Sequence, residues 1–302
     1  MPCLLPCRQL RQIIGLATLL VAGSVFTGCS LVRLAYDQAP NLMFWRIDSY
    51  IDVNGDQAPQ LRDAIDLWFA WHRRTQLPAY AVLLARAQRE IVEPTTPAAL
   101  CAWTAEAEQR LGLALEEAVL PAAGLILTLT PEQLQHIERR MAKGEAQMQA
   151  DFLQADPAAR RAASFERALD RFEMLYGNLD AGQRERLSAL LSKSNFDPAR
   201  WLAERRLRNR ETLQILTTVS TASRSGGDRA AAWQQAQAAA RVLVERARRS
   251  PRADYRAYQQ RLMQDNCALA ATLHNAMTPA QRLAARAKLK GWEDDLRVLA
   301  AG

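Results

Sequence analysis

Apolar residues recur at three- and four-residue spacing through nearly all of this chain, and no segment sustains the period-two alternation of a half-buried strand. That pattern restricts the fold to packed amphipathic helices. Leu134, Ile137, Met141, Met148 and Phe152 line one side of a helix whose other side carries Gln135, Arg139, Lys143 and Gln147. Phe165, Leu169, Phe172 and Tyr176 repeat the arrangement, as do Tyr255, Tyr258, Leu262, Leu269 and Leu273. Each such face needs a partner helix to cover it. Core packing accounts for these aromatic and methionine stripes without invoking a cofactor, and none is expected.

Helix starts are written with similar clarity. In Leu129-Thr130-Pro131-Glu132-Gln133-Leu134 the Thr130 hydroxyl can cap, Pro131 takes the first helical position without wasting a donor, and Gln133 can bond back. Leu129 and Leu134 then form the flanking hydrophobic staple. The same grammar recurs in Met277-Thr278-Pro279-Ala280-Gln281 and, with Asp as cap, in Leu179-Asp180-Ala181-Gly182-Gln183. Thr96-Pro97, Asp156-Pro157, Asp197-Pro198 and Ser250-Pro251 mark further starts. The spacing predicts helices over 40-51, 57-93, 97-119, 131-153, 157-177, 181-194, 198-221, 228-249, 251-275 and 279-299. Short connections make sequential neighbours antiparallel, so the expected fold is an all-α, antiparallel multi-helix bundle. Pro78 falls inside the second helix and predicts a kink, while Pro121 to Gly124 predict a break before the apolar run Leu125 to Leu129. Gly226-Gly227 make 223-228 the best candidate for a soft hinge within one helical body.

The N-terminus carries a different kind of information. Arg8 and Arg11 give a positive region, Ile13 to Phe26 an apolar run of about 14 residues, and Gly28 a small residue before Cys29. The run is shorter than the roughly 20 residues that cross hydrocarbon, so a secretion signal over 1-28 is the expectation rather than a permanent span. The segment resembles the lipoprotein signal peptides of Gram-negative bacteria, with Phe26 where Leu is usual. That resemblance implies cleavage before Cys29, acylation of its thiol, and a periplasmic helical domain over 29-302. Because Ser30 rather than Asp follows the cysteine, it also implies sorting to the outer membrane on its periplasmic side.

Composition then bounds the partners. The formal charge of +7 falls to +5 once Arg8 and Arg11 leave with the signal, and much of the excess lies in Arg200 to Arg210 and Arg241 to Arg256. In the expected compartment such charge meets anionic lipid head groups or other envelope polyanions, or is a solvated helix face; the expected partners are the membrane and envelope proteins, and no nucleic-acid partner is expected. Of five cysteines only Cys101 and Cys267 would remain as thiols after processing and acylation. In an oxidising compartment they are either a disulfide or two buried thiols, and spacing does not decide between these.

Two family resemblances follow from these motifs. Leu129-Thr130-Pro131-Glu132-Gln133, with near matches at Leu179 to Gln183 and Met277 to Gln281, resembles the Leu-Thr-x-x-Gln signature of the Spy-like periplasmic chaperones, which implies binding of unfolded clients. A capping box requires the same residues for purely structural reasons. Cys29-Ser30-Leu31-Val32-Arg33-Leu34-Ala35-Tyr36, followed by Asn41-Leu42, Trp45, Asp48, Tyr50, Asp52 and Gln57, resembles the opening of an uncharacterised family of bacterial helical lipoproteins. That second resemblance implies location and fold class but no activity.

Chemistry-bearing motifs are sparse. Asp52, Asn54, Asp56 and Asp63 have faint calcium-loop spacing, but Gln57 stands where the loop needs Gly and Pro59 intrudes, so a turn feeding a helix cap is the better reading and no metal is expected. His72, His136 and His274 are scattered, with His136 on the polar side of its helix. No nucleophile elbow, zinc-protease pair, phosphate loop or dinucleotide fingerprint is present, so no catalytic residue and no small-molecule substrate are assigned. The expected role is a helical interaction or scaffold module, chaperone-like in its most concrete version, with Arg205, Arg206, Arg208 and Arg210 as a charged binding rim. The alternative is an envelope hydrolase using Asp48, Asp52 or His72. A pocket gathering those carboxylates with His72 would favour catalysis, and an apolar trough would favour binding.

Overall fold

Capping side chains decide where most helices of this chain begin. In the computed structural model, which describes residues 31–225 and 228–302, Thr96, Thr130, Asp156, Asp180, Asp197, Asp228 and Thr278 each accept a hydrogen bond from a backbone N–H of the first helical turn. Proline follows five of these caps at a position where its missing N–H costs nothing. The described residues form eleven helices and no strand: α1 (Leu31–Ile51), α2 (Gln57–Glu90), α3 (Pro97–Glu117), α4 (Val119–Leu127), α5 (Pro131–Phe152), α6 (Pro157–Tyr176), α7 (Ala181–Leu191), α8 (Pro198–Arg224), α9 (Arg229–Arg248), α10 (Ala253–Asn275) and α11 (Pro279–Ala301). The protein is an all-α multi-helix bundle.

Pro78 lies inside α2, which is one helix from Gln57 to Glu90. Two expectations need correction. The break at Pro121 to Gly124 is instead helix α4: Pro121 is its third residue, where the backbone N–H would have no intrahelical partner. α10 starts at Ala253 rather than at Pro251, and the Ser250 hydroxyl accepts from the Arg252 N–H in the turn before it. The signal segment, Cys29, Gly226 and Gly227 lie outside the described residues. Residues Pro40–Gly302 group as one compact unit, and the described residues before Pro40 fall outside it. Within that unit α8 and α9 pack on each other and both pack on α4. No helix among the described residues is long and apolar enough to cross a membrane.

Two buried clusters form the core of Pro40–Gly302. One joins α4, α5, α8 and α9 around Val119, Ala123, Ile126, Ile137, Leu216 and Ala236. The other joins α6, α7, α10 and α11 around Leu169, Leu187, Leu273 and Ala285. α2 packs along α11, where Glu293 accepts from Gln88 at 2.7 Å and from Arg297 at 2.7 Å. A disulfide between Cys101 and Cys267, with Cα atoms 5.6 Å apart, fastens α3 to α10.

The N-terminal glutamines do more than complete caps. Gln183 and Gln281 each accept from the backbone N–H of their own cap residue, Asp180 and Thr278, and their amides also bond each other reciprocally at 2.7 and 2.9 Å. The remaining N–H of each reaches a loop carbonyl, that of Ala276 and of Asn178 respectively. Gln57 and Gln133 form a second reciprocal pair at 3.2 and 2.7 Å, with Asn54 and Thr130 as cap residues and with Thr128 and Asp52 as carbonyl acceptors. Each pair therefore locks two helix starts together through satisfied, buried amides. Replacing Gln183 by Ala strands the Asp180 N–H, the Ala276 carbonyl and half of the Gln281 amide. We expect a loss of roughly 2–4 kcal/mol, read as a lower midpoint of urea unfolding followed by circular dichroism. An unchanged midpoint would show that water replaces the lost amide.

Candidate functional site

Two facing helical stripes make an apolar groove. Leu61, Ala64, Ile65, Trp68 and His72 follow one another at helical spacing along α2, and Ala107, Arg110, Leu111, Ala114, Leu115 and Ala118 do so along α3 and just past its end. The alanines of α3 are too short to close the space opposite α2. Met43, Ile47 and Ile51 from the second half of α1 form one further wall, and Pro121, Ala122 and Leu125 of α4 form another. The groove holds about 810 Å³ and lies wholly within Pro40–Gly302. That volume falls in the range of small-molecule sites, and the lining is correspondingly poor in polar groups.

The α1 wall is fixed by specific contacts. Phe44 is buried beneath the Arg62 guanidinium, whose centre lies 3.6 Å from the ring centroid. The Ser49 carbonyl lies 3.1 Å from His136 Nε2, so His136 is a half-buried tie between α5 and α1 rather than a solvated residue. Asp48 accepts from the Val53 N–H at 2.9 Å and closes the turn that follows α1, where Asp52 has a positive φ of 61°. Asp48 and Asp52 are thus turn residues, and neither lines the groove.

Polar groups concentrate toward one end. The His72 ring stacks on Trp68, with centroids 4.9 Å apart, and lies 5.6 Å from the ring of Tyr80. Trp68 already donates its indole N–H to the Ala114 carbonyl at 2.9 Å. Burial pulls the His72 imidazole below its ordinary value of 6.5, so it is neutral at neutral pH. Burial likewise pushes the Tyr80 phenol up, against an opposing pull from nearby Arg110, and keeps its O–H as a donor. Arg110 is the one charged residue lining the groove. Glu106, one turn earlier on α3, is taken by Arg86, and among the described residues no carboxylate pairs with Arg110. The site therefore offers an apolar trough ending in a cation, a phenol and an imidazole. Among the described residues no carboxylate lines the groove.

The other sequence candidates lie elsewhere. Arg206 donates to Gln149 at 3.0 Å and pairs with Glu145 at 3.4 Å on α5, and an Arg205 guanidinium nitrogen lies 3.5 Å from where a Cβ on Gly144 would sit. Arg208 reaches back toward the Ala247 carbonyl of α9, while Arg210 is exposed. Arg205 and Arg206 thus lie against α5 and Arg208 against α9, so three of the four are engaged with neighbouring helices and do not form one open rim. His274 is buried on the far side of the bundle, between Tyr176 Oη at 2.7 Å and the Glu93 carbonyl at 2.8 Å. The carbonyl requires a donor at Nε2, which assigns Nδ1 as acceptor of the Tyr176 proton. Burial lowers the His274 pKa and raises that of Tyr176 to about 12, so both are structural neutral groups at physiological pH. Among the described residues no three His, Cys, Asp or Glu side chains gather as a metal site.

No curated protein and no solved structure matches this chain. A family profile does match, over residues 49–229, a span that includes the α2, α3 and α4 walls of the groove. The chain belongs to that family, a family of unknown function designated DUF6279.

Proposed function

We propose that the protein is a lipid-anchored helical binding module of the bacterial envelope, held by an acylated Cys29 at the periplasmic side of the outer membrane, with the α2–α3 groove as its binding site. The observation that carries the reading is the groove's chemistry: a lining that is apolar along most of its length, with Arg110, Tyr80 and His72 gathered toward one end. Binding needs only such a surface. The signal-like N-terminus ending at Cys29 supports the anchor, and Ser30 supports outer-membrane sorting. A disulfide spanning α3 and α10 supports an oxidising compartment. The charged rim and the capping-box kinship to Spy-like chaperones do not enter the proposal, because the arginines are dispersed and the glutamines are used in helix pairing.

In-cell photocrosslinking tests the proposal. A photoreactive residue replacing Ala107, at the groove edge on α3, is expected to give defined adducts in intact cells. The same residue replacing Glu166, exposed on α6, is expected to give none of them. Equal labelling from the two positions would overturn the groove as the binding site. Mass analysis of the same preparation checks the anchor, since the N-terminal peptide should begin at acylated Cys29.

A further inference from the structure

We propose that the groove takes a single long acyl chain with a carboxylate head, a free long-chain fatty acid, with its head at Arg110 and Tyr80 and its tail running toward α4. The inference rests on the groove being a binding site and specifies what the site holds. Three features lead to it.

Polar and apolar character are separated along the groove's length. α2 and α3 run antiparallel, so Tyr80, Leu83, Ala107 and Arg110 gather toward one end, with His72 next to them, while Leu61, Ala118 and Leu125 mark the other. From Arg110 to Ala118 the α3 face covers about 12 Å at 1.5 Å per residue, and Pro121 to Leu125 of α4 extend it. Acyl chains of one membrane leaflet occupy about 15 Å, half of the hydrocarbon core. The α3 wall therefore matches one chain in length, the α2 wall from Leu61 to Tyr80 runs longer at about 28 Å, and about 810 Å³ is enough for a ligand of that size.

The head end has a matching charge. Arg110 lines an apolar groove without an acidic partner among the described residues, and an apolar setting strengthens its attraction for an anion. Tyr80 adds a neutral O–H donor within the same region, which suits a carboxylate and adds no competing negative charge. A neutral amphiphile would leave the cation unanswered.

The walls disfavour an extended polypeptide. Apart from the head-end groups the lining side chains are aliphatic or alanine, with the Trp68 N–H already used. An extended peptide would have to desolvate backbone N–H and C=O groups with nothing on these walls to receive them. An alkyl chain makes no such demand.

The experiment uses full-length acylated protein in lipid nanodiscs and hexadecanoate labelled with carbon-13 at the carboxyl carbon. Saturable binding is expected, with a carboxyl resonance distinct from free and bilayer-dissolved acid. Arg110→Gln is expected to weaken hexadecanoate binding about 10- to 100-fold while leaving thermal unfolding unchanged, since Arg110 joins no ion pair among the described residues. Hexadecanol should bind the native protein no better than it binds the Arg110→Gln variant. Ala114→Trp, which fills the trough, should abolish binding of both. Equal affinity of native and Arg110→Gln protein for hexadecanoate, or tighter binding of the alcohol, would overturn the inference. If no amphiphile binds but Ala107 photocrosslinks a polypeptide in cells, the fatty-acid assignment fails and the binding module stands. If Ala107 gives no specific adduct and no amphiphile binds, both fail.

Discussion

Replacing Cys101 and Cys267 together by Ser should lower the free energy of unfolding by about 5 kcal/mol, the largest single loss we expect from this structure. The two cysteines are 166 residues apart, so the bond removes from the unfolded chain the freedom of more than half its length. Chain-entropy arguments give a cost that grows with the logarithm of the closed loop, and at this length they reach about 5 kcal/mol. The enclosed segment includes α4 through α9 and thus the whole α4–α5–α8–α9 cluster. For a bundle whose total stability is of order 5–15 kcal/mol, such a loss is severe. Guanidinium unfolding of the oxidised protein and of the Cys101→Ser/Cys267→Ser variant checks it. Adding reductant to the native protein should reproduce the shift in midpoint, and reductant should leave the variant unaffected. If reductant leaves the native midpoint in place, the bond does not contribute as argued. Circular dichroism should remain helical in both forms under native conditions, because most capping and core contacts lie away from the bond.

How much of this was legible in the sequence depended on whether the information was local. Thr130-Pro131-Glu132-Gln133 states its own cap, and the helix starts where those residues say it does. The same residues do not state that Gln133 will meet Gln57, since that pairing arises only when two distant helix starts are brought together. Pro121 and Gly124 look disruptive in isolation and so suggest a break where α4 stands, whereas a proline in the first turn is harmless and Gly124 faces Trp233 at 3.9 Å from where a Cβ would be. The groove was hidden for another reason. It is made by what is missing, namely side-chain volume at Ala107, Ala114 and Ala118, and alanine in a helix reads as filler. Arg110 offered the one available signal: a charge on the same helical side as Ala107, Leu111 and Ala114. The arginine run at 205 to 210 shows the opposite limit, because a charge run in the sequence does not say which of its side chains lie against neighbouring helices, as Arg205, Arg206 and Arg208 do.

Arg252→Met should cost about 3–5 kcal/mol at neutral pH, because it strands a carboxylate that is almost completely buried. Glu204 on α8 is 3 % exposed, and Arg252 grips both of its oxygens, Nε to Oε2 at 2.6 Å and Nη2 to Oε1 at 2.8 Å. The third arm of the same guanidinium donates to Glu211 at 2.7 Å, and Arg246 holds the other oxygen of Glu211 at 3.2 Å. This network fastens α8 to the end of α9 and to the residue just before α10. Burial alone would push the Glu204 carboxyl up, but the Arg252 fork and the Ser250 hydroxyl outweigh it and hold the group below its ordinary 4.5. A carboxylate with a lowered pKa contributes stability that is complete above pH 4.5 and is lost as the pH falls through its folded value. In Arg252→Met the Glu204 carboxyl loses the fork and burial acts against its ionisation, so protonating it relieves the strain. The deficit of the variant relative to the native protein should therefore be largest near pH 7, shrink as the pH falls through the raised Glu204 pKa of the variant, and shrink further below 4.5. The double variant Glu204→Leu/Arg252→Met removes both charges from the same site and should recover much of the loss, leaving the Glu211 and Arg246 pair intact. Urea unfolding at pH 7 and pH 4 on the three proteins separates these outcomes. If the double variant were as unstable as Arg252→Met, the cost would lie in lost packing of the arginine stem, and an isolated buried charge would not be its cause.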